Sequence, residues 1–193
     1  MKILGTQDFI THVEELLDPD LCTEIIAEFS RSPDVAAGKV VNTDTGHSQN
    51  SDKISFDLQI LPEGNWENIY ARVHSAESTV LEEYVPALPS LQVYPLEGTG
   101  YKIQMYPKQQ GRFAWHFDAL GPATQRRLVA MIIYLNDVDK GGETAFHYQQ
   151  INVSPKTGYG VLFPTAWTHL HSGLVPESND KYIISTFLQY KME

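Results

Sequence analysis

The chain has very little cysteine: Cys22 is the only one in 193 residues. A lone thiol cannot form an internal disulfide, which excludes a disulfide-stapled scaffold and leads us to expect a reducing, cytoplasmic setting. Positive charge is also scarce. Lys and Arg number 14 against 24 Asp and Glu, a net charge of -10. Nucleic-acid binders usually carry a basic face that releases counterions from phosphate, so no nucleic-acid partner is expected. The acidic surplus reads as solubility or as attraction for basic substrates. No run of about 18 apolar residues occurs, so no membrane span is expected. The opening MKILGTQDFITHVEELLD has no long apolar stretch and meets acidic residues early, unlike a signal peptide. Repeats and low-complexity segments are absent.

What is present is a full core's worth of apolar side chains: 42% hydrophobic and 11% aromatic residues. The length suits one domain over 1–193. Two patterns divide it. Across 1–90 the periodicity is helical: Leu21, Ile25, Ile26 and Phe29 share one face over Asp20–Phe29. Trp66, Ile69, Tyr70, Val73, Val80, Leu81 and Tyr84 share another over Asn65–Tyr84, with Asn65 as N-cap and Pro86 as terminator. The polar stretch Val41–Lys53 has no period and reads as a loop placed to act as a lid over a peptide. Across 91–193, short apolar or alternating runs recur between Pro and Gly: LQVY, YKIQMY, RFAWHF, RLVAMIIYL, YGVLF and YIISTFL. These predict antiparallel strands in a sandwich or barrel, with Gly141-Gly142 at a tight turn. A helical layer on a sheet sandwich is the simplest α+β architecture.

One constellation carries chemistry. In Trp115-His116-Phe117-Asp118, a strand would turn His116 and Asp118 to the same side. A third ligand is needed, and FPTAWTHLHSG offers His169 and His171. Two histidines and one carboxylate on one face of a metal leave open positions, the arrangement of non-haem Fe(II) oxygenases. The same donors suit Zn or Mn. The bland alternative is a hydrogen-bonded His116–Asp118 pair with later histidines that cap a turn or face solvent. Trp115 could line the far side of the sheet or belong to the core.

From Leu91 to Tyr190 the chain resembles the iron(II)- and 2-oxoglutarate-dependent dioxygenases, and within them the prolyl 4-hydroxylase group. The resemblance is carried by Tyr106, His116-x-Asp118, Arg127 and the strand ending Ile133-Tyr134-Leu135-Asn136-Asp137-Val138. It continues through Gly141-Gly142-Glu143-Thr144-Ala145-Phe146, Pro155-Lys156-x-Gly158, Leu162-Phe163-Pro164, His171 and Lys181-Tyr182. It implies a double-stranded β-helix (jelly-roll) core over 91–193, with N-terminal helices from 1–90 packed on the major sheet. It also implies Fe(II) at His116, Asp118 and His171. The family places a basic residue ten positions after the distal histidine, which from His171 is Lys181 and from His169 is the neutral Asn179. Lys181 would hold the far carboxylate of 2-oxoglutarate, helped by the Tyr106 hydroxyl and by Thr144. A buried carboxylate has to be paired in this way.

Arg127, Phe113 and Phe187 fall where the family contacts its peptide. At Phe113 the family often has tyrosine and at Phe187 tryptophan, so the aromatic character stays but a polar handle is lost. The activity implied is O2- and 2-oxoglutarate-dependent hydroxylation of peptidyl proline, releasing succinate and CO2, with ascorbate as a further cofactor. Related halogenases replace the carboxylate ligand, and Asp118 therefore points to hydroxylation. The partner expected is a proline-containing peptide or protein. Three alternatives remain: a free amino acid or other small molecule as substrate, a non-catalytic metal-binding jelly-roll, and a zinc hydrolase. The last lacks a His-Glu-x-x-His motif.

Overall fold

A computed structural model describes residues 1–39 and 52–191. Most of the Val41–Lys53 segment expected as a lid lies outside the described residues. The chain opens with strands β1 (Lys2–Gln7) and β2 (Ile10–Glu14), followed by helix α1 (Pro19–Arg31). Strands β3 (Ala36–Ala37), β4 (Lys53–Ile54) and β5 (Phe56–Ile60) precede helix α2 (Glu67–Tyr84). The remainder is strand: β6 (Leu96–Gly98), β7 (Tyr101–Tyr106), β8 (Arg112–His116), β9 (Arg127–Tyr134), β10 (Thr144–Phe146), β11 (Ile151–Val153), β12 (Gly160–Pro164), β13 (His171–Gly173) and β14 (Lys181–Tyr190).

Among the described residues these strands form two sheets. The major sheet runs β1-β2-β12-β9-β14-β7-β5-β3, with β6 pairing β14, and the minor sheet runs β11-β10-β13-β8-β4. Burial on both faces explains why β9 is apolar from Leu128 to Ile133. On β9, Val129, Met131 and Ile133 join a cluster with the helices, while Ala130 and Tyr134 join a second cluster. That second cluster also takes in Phe146 and Val153 of the minor sheet and fills the space between the sheets. A strand buried on both faces has no place for an outward polar residue. The architecture is the α+β jelly-roll expected, with both helices on the major sheet.

The helices follow from local chemistry. Asp18 caps α1 by accepting from the Asp20 N–H at 2.8 Å, and Pro19 occupies the first turn, where its missing N–H costs nothing. The face Leu21, Cys22, Ile25 and Phe29 is buried, each large apolar side chain contributing about 1.5–3 kcal/mol. Helix α2 buries Ile69, Val73, Val80 and Tyr84. It also buries Glu77, whose carboxylate accepts from the Tyr101 hydroxyl.

Three expectations change. Asn65 is not the cap of α2: Gly64–Trp66 form a 3-10 turn that Gly64 enters at φ +60°, and the Asn65 amide reaches Glu28 instead. LQVY is not a strand. Leu91 ends a 3-10 turn, and Val93 and Tyr94 are exposed just before Pro95, which has no N–H for a ladder. Residues 1–90 are not only helical. β2 buries Ile10 and Val13 against β12, and β5 buries Leu58 and Ile60 beside β7, so both extend the major sheet.

Gly158 ties the chain leading into α1 to the sheet. Its carbonyl accepts from both the Leu16 and Leu17 N–H groups, at 2.8 and 3.1 Å. It adopts φ +76°, and an added Cβ would collide with the Leu17 carbonyl. Gly158→Ala is expected to lower stability by about 2–3 kcal/mol in a urea titration. Gly64→Ala, also at positive φ but with nothing within 4 Å of the added carbon, should cost only about 1 kcal/mol.

Candidate functional site

The register of the minor sheet brings the candidate ligands together. His171 on β13 stands directly across from His116 on β8. Asp118 lies just beyond the end of β8, and the backbone N–H groups of Asp118 and Ala119 both donate to the Thr165 carbonyl at 3.1 Å. The end of β12 thus fixes the carboxylate. The Nε2 atoms of His116 and His171 each lie 3.6 Å from an Asp118 oxygen. One donor atom from each of the three residues falls within 4.8 Å of the others.

The remaining ring nitrogens are engaged. Nδ1 of His116 meets the Ala114 carbonyl at 2.7 Å, and Nδ1 of His171 meets the His169 carbonyl at 2.9 Å. A donor at Nδ1 leaves Nε2 with its lone pair toward Asp118, the second-partner pattern of metal-bound histidines. Burial, reinforced by the neighbouring His116 charge, pushes His171 down to about 4, so it is neutral at pH 7. For Asp118, burial alone would raise the carboxyl. The facing His116 and His171 rings and the Arg127 guanidinium outweigh it and hold the group below its ordinary range. Two imidazole nitrogens and a carboxylate converging from one side fit an Fe(II) ion with open positions.

His169 does not share that face. It ends a 3-10 turn, is buried, and places Nε2 2.9 Å from the Asp8 carbonyl. The strand expected to carry both histidines begins only at His171, so period 2 does not apply. Its carbonyl, not its side chain, serves the site. Trp115 is 49% exposed on the outer face and is not a core residue.

The same cavity is lined by Tyr106, Phe113, Thr144, Lys181 and Phe187. Lys181 is completely buried. It pairs across the sheet with Tyr106, and its Nζ donates to the Gly142 carbonyl at 2.8 Å and lies 4.9 Å from the centre of the Tyr106 ring. Burial lowers it to about 8. Thr144 Oγ1 accepts from the Tyr134 hydroxyl at 2.7 Å, which leaves the threonine hydrogen free to donate into the cavity. The strand motif by itself assigns Tyr134 no role. Its period-2 relation to Ala130 and Ile132, which line the cavity, was the available signal. The Tyr106 hydroxyl donates to Gln104 Oε1 at 2.5 Å.

At the opposite end, the Arg127 guanidinium lies 3.8 Å from the centre of the Phe187 ring and donates to the Asp118 carbonyl at 3.3 Å. Phe113 stacks on His116, with ring centres 3.6 Å apart and 17° between planes. Ala130, Ile132, Phe163 and Ile183 complete apolar walls.

Residues 101–189 match the model of the 2OG-Fe(II) oxygenase superfamily. Probable prolyl 4-hydroxylase 9 of Arabidopsis thaliana is 24% identical over 119 residues, covering 48% of this chain and 41% of the relative. The chain thus spans less than half the length of that relative. In fold it is similar to a Trichoplax adhaerens prolyl hydroxylase solved with a hypoxia inducible factor oxygen degradation domain peptide fragment. The TM-score is 0.78 at 16% identity, covering 95% of this chain and 84% of that one. The viral collagen prolyl hydroxylase of Paramecium Bursaria Chlorella virus-1, solved as a 2OG complex, gives a TM-score of 0.72 at 15% identity over 95% and 97%.

The ligand assignment has a direct check in metal content. His171→Ala should lose nearly all bound iron, whereas His169→Ala should keep most of it, because the orienting carbonyl survives that substitution. Elemental analysis of both variants decides the matter, and full iron retention in His171→Ala would overturn the assignment.

Proposed function

We propose that the chain is an Fe(II)- and 2-oxoglutarate-dependent hydroxylase of peptidyl proline, a reading supported by the match of residues 101–189 to the 2OG-Fe(II) oxygenase superfamily model and by the similarity to prolyl 4-hydroxylases. The observation that carries the reading is one cavity with two chemically opposite ends, the His116, Asp118 and His171 donors at one and the buried Lys181 at the other. Fe(II) held at the three ligands would supply the activation of O2 that no side chain can, with 2-oxoglutarate oxidised to succinate and CO2.

The chain's own residues bind, orient and exclude. Lys181 pairs with the far carboxylate of 2-oxoglutarate, and the hydroxyls of Thr144 and Tyr106 donate to it. Such charge-assisted bonds in a dry pocket are stronger than the same bonds in water. The apolar walls keep water from the reacting carbon. Phe113 keeps the His116 ring from turning by stacking on it. Arg127, stacked on Phe187, offers guanidinium N–H groups to a carbonyl at the rim. The same cation would accept the free carboxylate of an amino acid, which supports a small-molecule substrate as the second reading.

Succinate formation with Fe(II), 2-oxoglutarate and O2, measured across proline-containing peptides and free amino acids, tests the proposal. Turnover confined to free amino acids would sink the peptide reading. A pH dependence follows from Lys181. Its value of about 8 lies below the ordinary 10.5, so between these limits the unfolded chain binds more protons than the folded one. The ligand-free protein therefore gains stability as pH rises through that window. Binding of the dianion needs the charged amine. Affinity for 2-oxoglutarate should be level below pH 8 and fall roughly tenfold per pH unit above it. Lys181→Met should bind weakly at every pH, as calorimetric titration would show.

A further inference from the structure

One hydrogen-bonded chain in the cavity goes beyond this reading. Tyr106 Oη donates to Gln104 Oε1 at 2.5 Å, and Gln104 Nε2 donates to Ser185 Oγ at 2.8 Å. All three residues line the same cavity. Tyr106 faces Lys181 across the β7–β14 pair. Ser185 lies four residues further along β14, about 13 Å away, on the same side of the strand, and Phe187 follows about 7 Å beyond it. The chain of bonds therefore runs from the carboxylate end of the cavity toward the substrate end.

Its direction is set by hydrogen counting. A tyrosine hydroxyl has one hydrogen, a glutamine amide has one acceptor oxygen and one donor nitrogen, and a serine hydroxyl can donate or accept. With the Tyr106 hydrogen on Gln104 Oε1, the amide must turn its nitrogen to Ser185. Ser185 then accepts, and among the described residues nothing takes its hydrogen, so it presents a donor to the cavity. When a carboxylate takes the Tyr106 hydrogen, two acceptor oxygens are left face to face. A half-turn of the Gln104 amide relieves this. Nε2 then donates to Tyr106 Oη, Oε1 accepts from Ser185, and Ser185 presents a lone pair.

We propose that Gln104 is a positioning residue that couples the 2-oxoglutarate pocket to the substrate end, reversing the hydrogen-bonding polarity of Ser185 when 2-oxoglutarate binds. The substrate group recognised there is a donor, an N–H or O–H, and it is welcomed only once the cosubstrate is in place. Tyr106 exchanges the bond it donates to Gln104 for one it accepts from it. The inference rests on the proposed 2-oxoglutarate pocket.

Two measurements on the full chain, loaded with diamagnetic Zn(II) and kept free of O2, test it with 2-oxoglutarate as the probe. In the first, the Gln104 side-chain amide signals, identified by their loss in Gln104→Leu, are followed in a nitrogen-15 spectrum during titration. They are expected to shift. In the second, calorimetry compares wild type with Gln104→Leu. In the relay Gln104 keeps one bond to Tyr106 in both states, so the variant should bind 2-oxoglutarate within about twofold of wild type; an amide that stays fixed would leave two acceptor oxygens opposed, and its removal would tighten binding roughly two- to tenfold. Binding heat with unmoved Gln104 signals, or such tighter binding by the variant, overturns the relay alone. No binding heat in wild type overturns the pocket and the relay together.

Discussion

A lysine ammonium buried in the fold, with no carboxylate of the described residues in an ion pair with it, is the constraint to which the site answers. Lys181 finds one carbonyl and the face of one aromatic ring, too little to replace the water it lost. An unpaired buried charge costs several kcal/mol, a large share of the about 5–15 kcal/mol by which a domain is stable. The fold tolerates this because β14 is paired along much of its length with β9 and β7, and because the flanking strands are packed on both faces. Burial lowers the amine's proton affinity, and an arriving dianion would restore it. The group is poor structure, and its proposed role is that of a receptor.

The end with the candidate metal ligands meets the opposite problem, which is keeping an anion ionised in a buried place. Asp118 stays charged because two imidazoles and Arg127 face it, and His171 stays neutral because it is buried beside His116. Each imidazole is anchored through Nδ1 to a backbone carbonyl, so the free nitrogens converge without help from flexible side chains. The two ends share one set of apolar walls, which strengthens the electrostatics at both.

The rim is built by stacking more than by hydrogen bonding. Phe113 and Phe187 have no hydroxyl or indole N–H, and each spends its ring on a neighbour: Phe113 on His116, Phe187 on Arg127. The polar work between rim and floor falls to Gln104 and Ser185. Period 2 on β7 already placed Gln104 on the Tyr106 face. Nothing in the order of residues said that Ser185 would stand within reach of it, 81 positions away.

By itself the sequence determined the helix faces of α1 and α2, the runs that became β7, β8, β9, β12 and β14, and the residue types of a metal and carboxylate site. These depend on short-range periodicity and on spacing along one strand. Tertiary structure alone decided the rest. It drew β2 and β5 into the major sheet, left LQVY outside any sheet, and turned His169 toward Asp8, because strand pairing and burial depend on partners distant in the chain. It placed His171 opposite His116 through the register of β13 on β8. A ligand set is a matter of residue types, but a site needs their donor atoms within a few ångströms of each other, and only the packed sheets provide that.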